Sequence, residues 1–232
     1  MSSLRSQGSY QRGQDCSALT TYAQIIAETH YEILRDNPKA IILGVGANDG
    51  GKFIFNTTRK AAEAYPDRVI ETPLSETMLT GAICGMAADG MFPTMIHARA
   101  DFLYLSGEHL LNTAATFRMI HGKACPITVR AIIGRGWGNG PMHTKAPLRM
   151  FDVPGIDLFT PTSVKGIHDA MTNAVRTGNP TVIMEQRHLY DTVPPKTQQH
   201  RVYWSIPAGP APASYPLETA YYGGKYEREG AF

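Results

Sequence analysis

The chain has 232 residues, 43% of them hydrophobic and 18% charged, a composition that fits a soluble globular protein with one large core and appendages. A net charge of +2 supplies no special attraction to nucleic acid or to membranes, and no apolar run approaches the length of a membrane span. The three cysteines, Cys16, Cys84 and Cys125, are widely spaced and show no zinc or redox pairing, so a reducing cytoplasm is the expected compartment.

Residues 1–18, which have no apolar run like the core of a signal peptide, are read as a polar arm. From 21 to 36 the apolar residues Tyr22, Ile25, Ile26, Ile33 and Leu34 recur at helical spacing, and Thr21 with Gln24 is placed as a capping box. Asn37-Pro38 stops that helix, and AIILGV at 40–45 reads as a strand covered on both faces. A helix around 57–65 and a strand at 68–71 follow. A small-residue helix at 75–89 comes next, for which Pro73 suits the first helical position.

The alternation continues with a strand at 93–98, a long helix at 103–122 and a strand at 126–133. After the glycine-rich loop GRGWGNGPMHT (134–144) and a short segment around 145–151 come a strand at 157–161, a helix at 163–178 and a strand at 180–185. Strands and helices in alternation predict an α/β fold, a mostly parallel sheet with helices on both faces. Residues 19–190 are read as this domain. Beyond it, 191–232 is Pro/Gly/Tyr-rich and reads either as a disordered tail or as an extended arm on a partner; Trp204 and the tyrosines favour the arm, with Trp204, Tyr221 and Tyr222 as anchors.

Glu76 poses the main question, because it stands in the first turn of a helix otherwise built for tight packing. Complementing the helix dipole is one sufficient reason. The glycine-rich loop contains neither G-x-x-x-x-G-K-[ST] nor a G-x-G-x-x-G that opens a helix. His143 ends that loop after a strand, on the edge where parallel sheets bind ligands. The eight histidines include no H-x-x-x-H or H-x-H pair, and G-x-S-x-G is absent.

Taken together, several stretches resemble the beta subunit of thiamine diphosphate-dependent 2-oxoacid dehydrogenases and, more distantly, the matching domain of transketolase. They are RVIETPLSE (68–76), DFLYLSGEHLLNTAATFRMIHG (101–122), GPMHT (140–144), VPGIDLFTPTSVKGIHDAM (153–171) and NPTVIMEQRHLY (179–190), in family order. The resemblance implies the thiamine diphosphate-binding fold and its pyrimidine-binding domain. It implies that Glu76, ending the T-P-x-x-E motif, bonds a ring nitrogen of the cofactor's aminopyrimidine. That bond favours the imino tautomer, whose nitrogen deprotonates the thiazolium carbon that attacks a 2-keto group. Leu74 of the same motif is implied as a cofactor contact. His143 matches the family's active-site histidine, suited to proton transfer or to orienting a substrate carboxylate. Phe102 falls where the family sets an aromatic ring against the pyrimidine, although a core residue would read identically. The helix 103–122 matches the family's interface helix, or is ordinary core. Arg99 stands where relatives have an apolar or small residue, and its role is left open.

The sequence departs from the family in three places. Val45 and Ala47 occupy the region of an acidic pair, and the tail is expected to stand in place of the family's C-terminal domain, which the resemblance links to dimerisation and docking of a lipoyl-bearing acyltransferase. The diphosphate signature, G-D-G followed by asparagine, is missing; NDGG (48–51) and ADG (88–90) do not replace it. The expectation is a beta-type subunit that works with an alpha-type subunit holding Mg²⁺ and the diphosphate, as a heterotetramer outside a lipoyl complex. Its substrate would be a 2-oxoacid or a ketose, cleaved at a C–C bond with acyl or two-carbon transfer. The alternatives are a split transketolase subunit and a non-catalytic partner that retains the fold.

Overall fold

Six short, mostly apolar segments pair as one sheet in the computed structural model, which describes residues 20–134 and 140–197. The strands are β1 (Ala40–Gly44), β2 (Val69–Glu71), β3 (Phe92–His97), β4 (Thr128–Ile133), β5 (Asp157–Phe159) and β6 (Thr181–Gln186). They lie in the order β2-β1-β3-β4-β6-β5, and every pairing is parallel. The expected α/β architecture is therefore present, and all the strands end on one edge. The arm at 1–18, the anchors Trp204, Tyr221 and Tyr222, and loop residues 135–139 lie outside the described residues.

Successive strand residues point to opposite faces, and each face has its own core. Ile41, Leu43, Met95, Val129 and Met184 pack with Leu79 and Ile83 of α4 (Glu76–Ala88) and with Leu103 of α5 (Leu103–Glu108). Ile42, Ile96, Ile132 and Ile183 pack with Tyr22 and Ile26 of α1 (Tyr22–Asp36) and with Ile167 and Met171 of α8 (Val164–Thr177). The α1 capping box forms as read: Thr21 Oγ1 accepts from the Gln24 amide, and Gln24 Oε1 accepts from the Thr21 amide at 2.8 Å. The backbone of 192–196 continues onto this body, where Thr192 O accepts from Tyr22 N and Pro195 O accepts from Val164 N.

Three local readings need correction. Pro73 does not begin a helix; Ser75 is the N-cap and Glu76 is the first helical residue of α4. The helix expected at 103–122 is α5, a π-helical stretch His109–Ala114, and α6 (Ala115–His121), closed by the left-handed Gly122. A π turn inserts an extra residue into the helix. Here it accompanies the seating of His109 on Gly81, where a Cβ would lie 3.1 Å from His109 Nε2. The helix expected at 57–65 is α3 (Arg59–Ala64), preceded by α2 (Phe53–Asn56). The α2 residues have φ of +45° to +64°, a left-handed turn that L side chains adopt at a cost. Asp49 Oδ1 accepting from Phe53 N at 2.9 Å and the Arg59 guanidinium over the Phe53 ring hold it. The remaining helix, α7 (Leu148–Phe151), fits the short segment after the glycine-rich loop.

On the α1 face the alternation places two charges where apolar residues would be expected. Arg130 of β4 and Glu185 of β6 are fully buried and paired through Nε, and Arg130 Nη2 donates to Glu185 Oε2 at 2.8 Å. Tyr190 OH donates to the same carboxylate, and its ring stacks on Tyr22. Arg130 Nη1 stands 3.2 Å from His30 Nε2. Arginine has only donors, so Nε2 accepts and His30 is neutral. Burial, reinforced by Arg130, holds the pKa of His30 well below its usual value. On the other face burial lowers His97 to about 4.

Removing one charge of a buried pair leaves the other uncompensated. Glu185→Ala should lower the unfolding free energy by about 3–5 kcal/mol in urea denaturation, and a loss below about 1 kcal/mol would contradict the pairing. The histidines predict an acid limb. Both have folded pKa values below the unfolded value of about 6.5, so the unfolded state takes up the protons first. Stability is then complete above about pH 6.5 and falls as the pH drops toward the folded value. Between about pH 7.5 and 5.5 each histidine should contribute a loss on the order of 1.4 kcal/mol, visible as a falling urea midpoint. His97→Phe should remove its share of that slope; an unchanged slope would mean His97 titrates normally.

Candidate functional site

The chain leaves β1 to form β2 on one side, then crosses back to form β3 on the other. The switch point of the sheet therefore lies between β1 and β3, where open parallel sheets bind ligands beyond the strand ends. Gly44 closes β1 there. A Cβ on it would lie 2.6 Å from Ile96 O, so only glycine allows this close exit. A small cleft of about 50 Å³ opens at this point. Gly44 and Val45 form one wall, Ile96, His97 and Ala98 form the floor, and the start of α4 and Phe102 complete it.

Glu76 is the first residue of α4, half-buried and lining the cleft. Its position at the positive end of the helix satisfies the dipole reading as well as the ligand reading. Thr77 Oγ1 donates to Leu105 O at 2.8 Å and Thr80 Oγ1 to Glu76 O at 2.7 Å, which fastens the first turn to α5 and to itself. Leu74 lines the same cleft and is exposed. Phe102, the last residue of a 3₁₀ turn (Ala100–Phe102), presents its ring to the cleft. His143 ends a second 3₁₀ turn (Pro141–His143) and meets that ring edge-on, with centroids 5.6 Å apart. Three of the four expected residues thus share one cleft, and the fourth packs on one of them.

Two contributors were not anticipated from the sequence. Glu71, at the end of β2, accepts from the amides of Gly46 at 2.7 Å and Asn48 at 2.9 Å, which pins the loop after β1 against the cleft. His97 ends β3, buried, with Nε2 3.1 Å from Ser106 Oγ. The signal for His97 was a polar residue closing the apolar strand PTMIHA. Arg99 is half-buried beside the site and donates to Ala98 O at 2.5 Å. Burial, then the nearby Arg187, lowers its pKa.

Leu74, Met78, Leu105 and Met142, large apolar side chains near the start of α4 and the Phe102–His143 turns, are all exposed. Asp49, the acid of NDGG, spends its Oδ1 on the amides of Gly51 and Phe53, both at 2.9 Å. Among the described residues, no group of three or more His, Cys, Asp or Glu side chains could hold a metal ion, and no helix is long and apolar enough to cross a membrane.

Residues 19–192 match the family described as the transketolase pyrimidine-binding domain. The chain is similar to the beta subunit of acetoin:2,6-dichlorophenolindophenol oxidoreductase from Cupriavidus necator, at 30% identity over 171 residues, covering 68% of this chain and 50% of that protein. It is also similar to the mitochondrial 2-oxoisovalerate dehydrogenase subunit beta from Chaetomium thermophilum, at 33% identity over 174 residues, covering 72% and 36%. The chain thus spans half or less of the length of these relatives. Among solved structures, a split-gene transketolase described as an inactive beta4 tetramer superposes with a TM-score of 0.57 at 20% identity, covering 72% of this chain and 52% of that one. A match over 19–192 together with a parallel sheet of this form makes the chain a member of the transketolase pyrimidine-binding-domain family.

Proposed function

We propose that this chain is a beta-type subunit of a thiamine diphosphate-dependent enzyme and that its cleft holds the aminopyrimidine half of the cofactor. The observation that carries the reading is Glu76 on the first turn of α4, opening into a cleft walled by Phe102 at the switch point of the sheet. The residues suit such a group. A flat heteroaromatic ring takes apolar walls from Leu79 and Met95 and a ring face from Phe102, while one carboxylate meets its ring nitrogen.

When bound, thiamine diphosphate supplies a carbon nucleophile and an electron sink for breaking a C–C bond beside a carbonyl. The chain's own part is positional and protonic. Glu76 shares a proton with the ring nitrogen, Phe102 and Leu74 fix the plane of the ring, and the first turn of α4 is held by Thr77 and Thr80. His143 packs edge-on against Phe102 rather than lining the cleft, and to it we assign the role of exchanging a proton with the substrate or orienting its carboxylate.

A diphosphate bridged by Mg²⁺ needs carboxylate, amide and carbonyl oxygens in octahedral array. Asp49 spends Oδ1 on its own loop and no metal-holding cluster occurs among the described residues, so that half of the site is assigned to an alpha-type subunit, and the working enzyme to a heterotetramer. The exposed apolar side chains near the site suit such an interface. The names of the relatives support a 2-oxoacid or a related ketone as substrate. GPMHT at 140–144 favours a second reading, a split transketolase subunit acting on a ketose. Retention of Glu76 in the cleft argues against a purely non-catalytic partner.

Hydrogen–deuterium exchange at the cofactor's thiazolium carbon, in the complex with the alpha-type chain, isolates the Glu76 step. Glu76→Ala should slow it by roughly 10²–10⁴, Glu76→Gln by less, with circular dichroism unchanged. Exchange at the wild-type rate in Glu76→Ala would end the assignment. A screen of 2-oxoacids against ketose phosphates decides between the two substrate readings.

A further inference from the structure

Beneath the cleft, three polar side chains sit inside the apolar core of the α4 face. His97, Ser106 and Thr80 are 3%, 0% and 0% exposed. Polar groups buried without partners are costly, so their mutual contacts have to account for them. His97 Nε2 is 3.1 Å from Ser106 Oγ, Ser106 Oγ is 2.8 Å from Thr80 Oγ1, and Thr80 Oγ1 is 2.7 Å from the carbonyl oxygen of Glu76. The chain runs from the floor of the cleft to the residue that bears its carboxylate.

Hydrogen counting gives this chain one consistent order. A carbonyl oxygen has no hydrogen, so the hydroxyl hydrogen of Thr80 fills the contact with Glu76 O. Thr80 has only that one, so Ser106 must donate to Thr80. Ser106 is then spent as well, and the contact with the imidazole is filled only if His97 carries its hydrogen on Nε2. Any other order leaves two acceptors facing each other at hydrogen-bond distance in a dry interior, where such a defect is expensive. A neutral ring with its hydrogen on Nε2 has a bare Nδ1, an acceptor.

We propose that His97 is a positioning residue of the cleft, a neutral imidazole locked as the Nε2–H tautomer with Nδ1 as acceptor, and that Ser106 and Thr80 couple this state to the turn of α4 carrying Glu76. The inference rests on the functional reading above for its purpose, but not for its geometry. It makes the floor of the cleft selective for a group that offers a hydrogen rather than one that offers a lone pair. Displacing either hydroxyl loosens the carboxylate relative to the β3 edge.

Nitrogen-15 histidine NMR of the full chain tests the tautomer without cofactor or partner, with His97→Gln identifying the resonance. Wild type should be the Nε2–H form. In Thr80→Val the Ser106 hydroxyl loses its acceptor and turns to the ring, so His97 should switch to the Nδ1–H form; Thr80→Ser should restore the original. In the complex with the alpha-type chain, Thr80→Val and Ser106→Ala should lower kcat by roughly 10-fold to 10²-fold, again with recovery in Thr80→Ser. An Nδ1–H wild type overturns the proposal. So does a Thr80→Val complex of wild-type rate in which Glu76→Ala is still defective, a result that leaves the functional reading standing. A wild-type complex that neither binds nor uses thiamine diphosphate removes the reading itself, and the purpose of the chain with it.

Discussion

A parallel sheet covered by helices on both faces can bury almost nothing but apolar side chains, and this constraint arranges the rest of the molecule. Each face has its own apolar core, and polar chemistry is displaced to the edge where the strands end. Polar groups that remain inside cluster and hydrogen-bond to one another. On the α1 face Arg130, Glu185, Tyr190 and His30 form one network, with His30 Nδ1 left without a partner; on the α4 face His97, Ser106 and Thr80 form another. The first set lies between central strands and serves the fold. The second lies under the switch point and reaches the turn that bears Glu76, so the same need to satisfy buried groups shapes the cleft.

Much of the architecture was readable because it depends on local rules. Continuous apolar runs between turn residues marked the strands, and Thr21 with Gln24 marked the start of α1. The features that were not readable depend on contacts distant in sequence. The π-helical stretch at His109–Ala114 accompanies a histidine packed against Gly81, a residue nearly thirty positions away. The left-handed turn at Phe53–Asn56 is held by Asp49 and Arg59 and has no glycine to announce it. Pro73 suggested an earlier start to α4, because proline at the first helical position is favourable anywhere, whereas Ser75 is the N-cap and the helix begins at Glu76.

The candidate site divides in the same way. Glu76, Leu74, Phe102 and His143 were found through resemblance, since as isolated residues each has an ordinary structural explanation. The structure brings the first three into one cleft and packs His143 against Phe102. His97 and Glu71 escaped notice because a histidine at a strand end and an acid closing a short strand carry no spacing signal. Their roles emerge only from partners: Ser106 for the one, the amides of Gly46 and Asn48 for the other.

On this account the cleft is half of a ligand site. It has apolar walls, an aromatic face and a carboxylate, while Asp49 Oδ1 is taken by the amides of its own loop. Calorimetric titration of thiamine diphosphate with Mg²⁺ into the chain, alone and then together with an alpha-type partner, tests this claim most directly. The expected result is weak or undetectable heat from the chain alone and saturable, Mg²⁺-dependent binding once the partner is present. Micromolar, Mg²⁺-dependent binding by the chain alone would contradict the account.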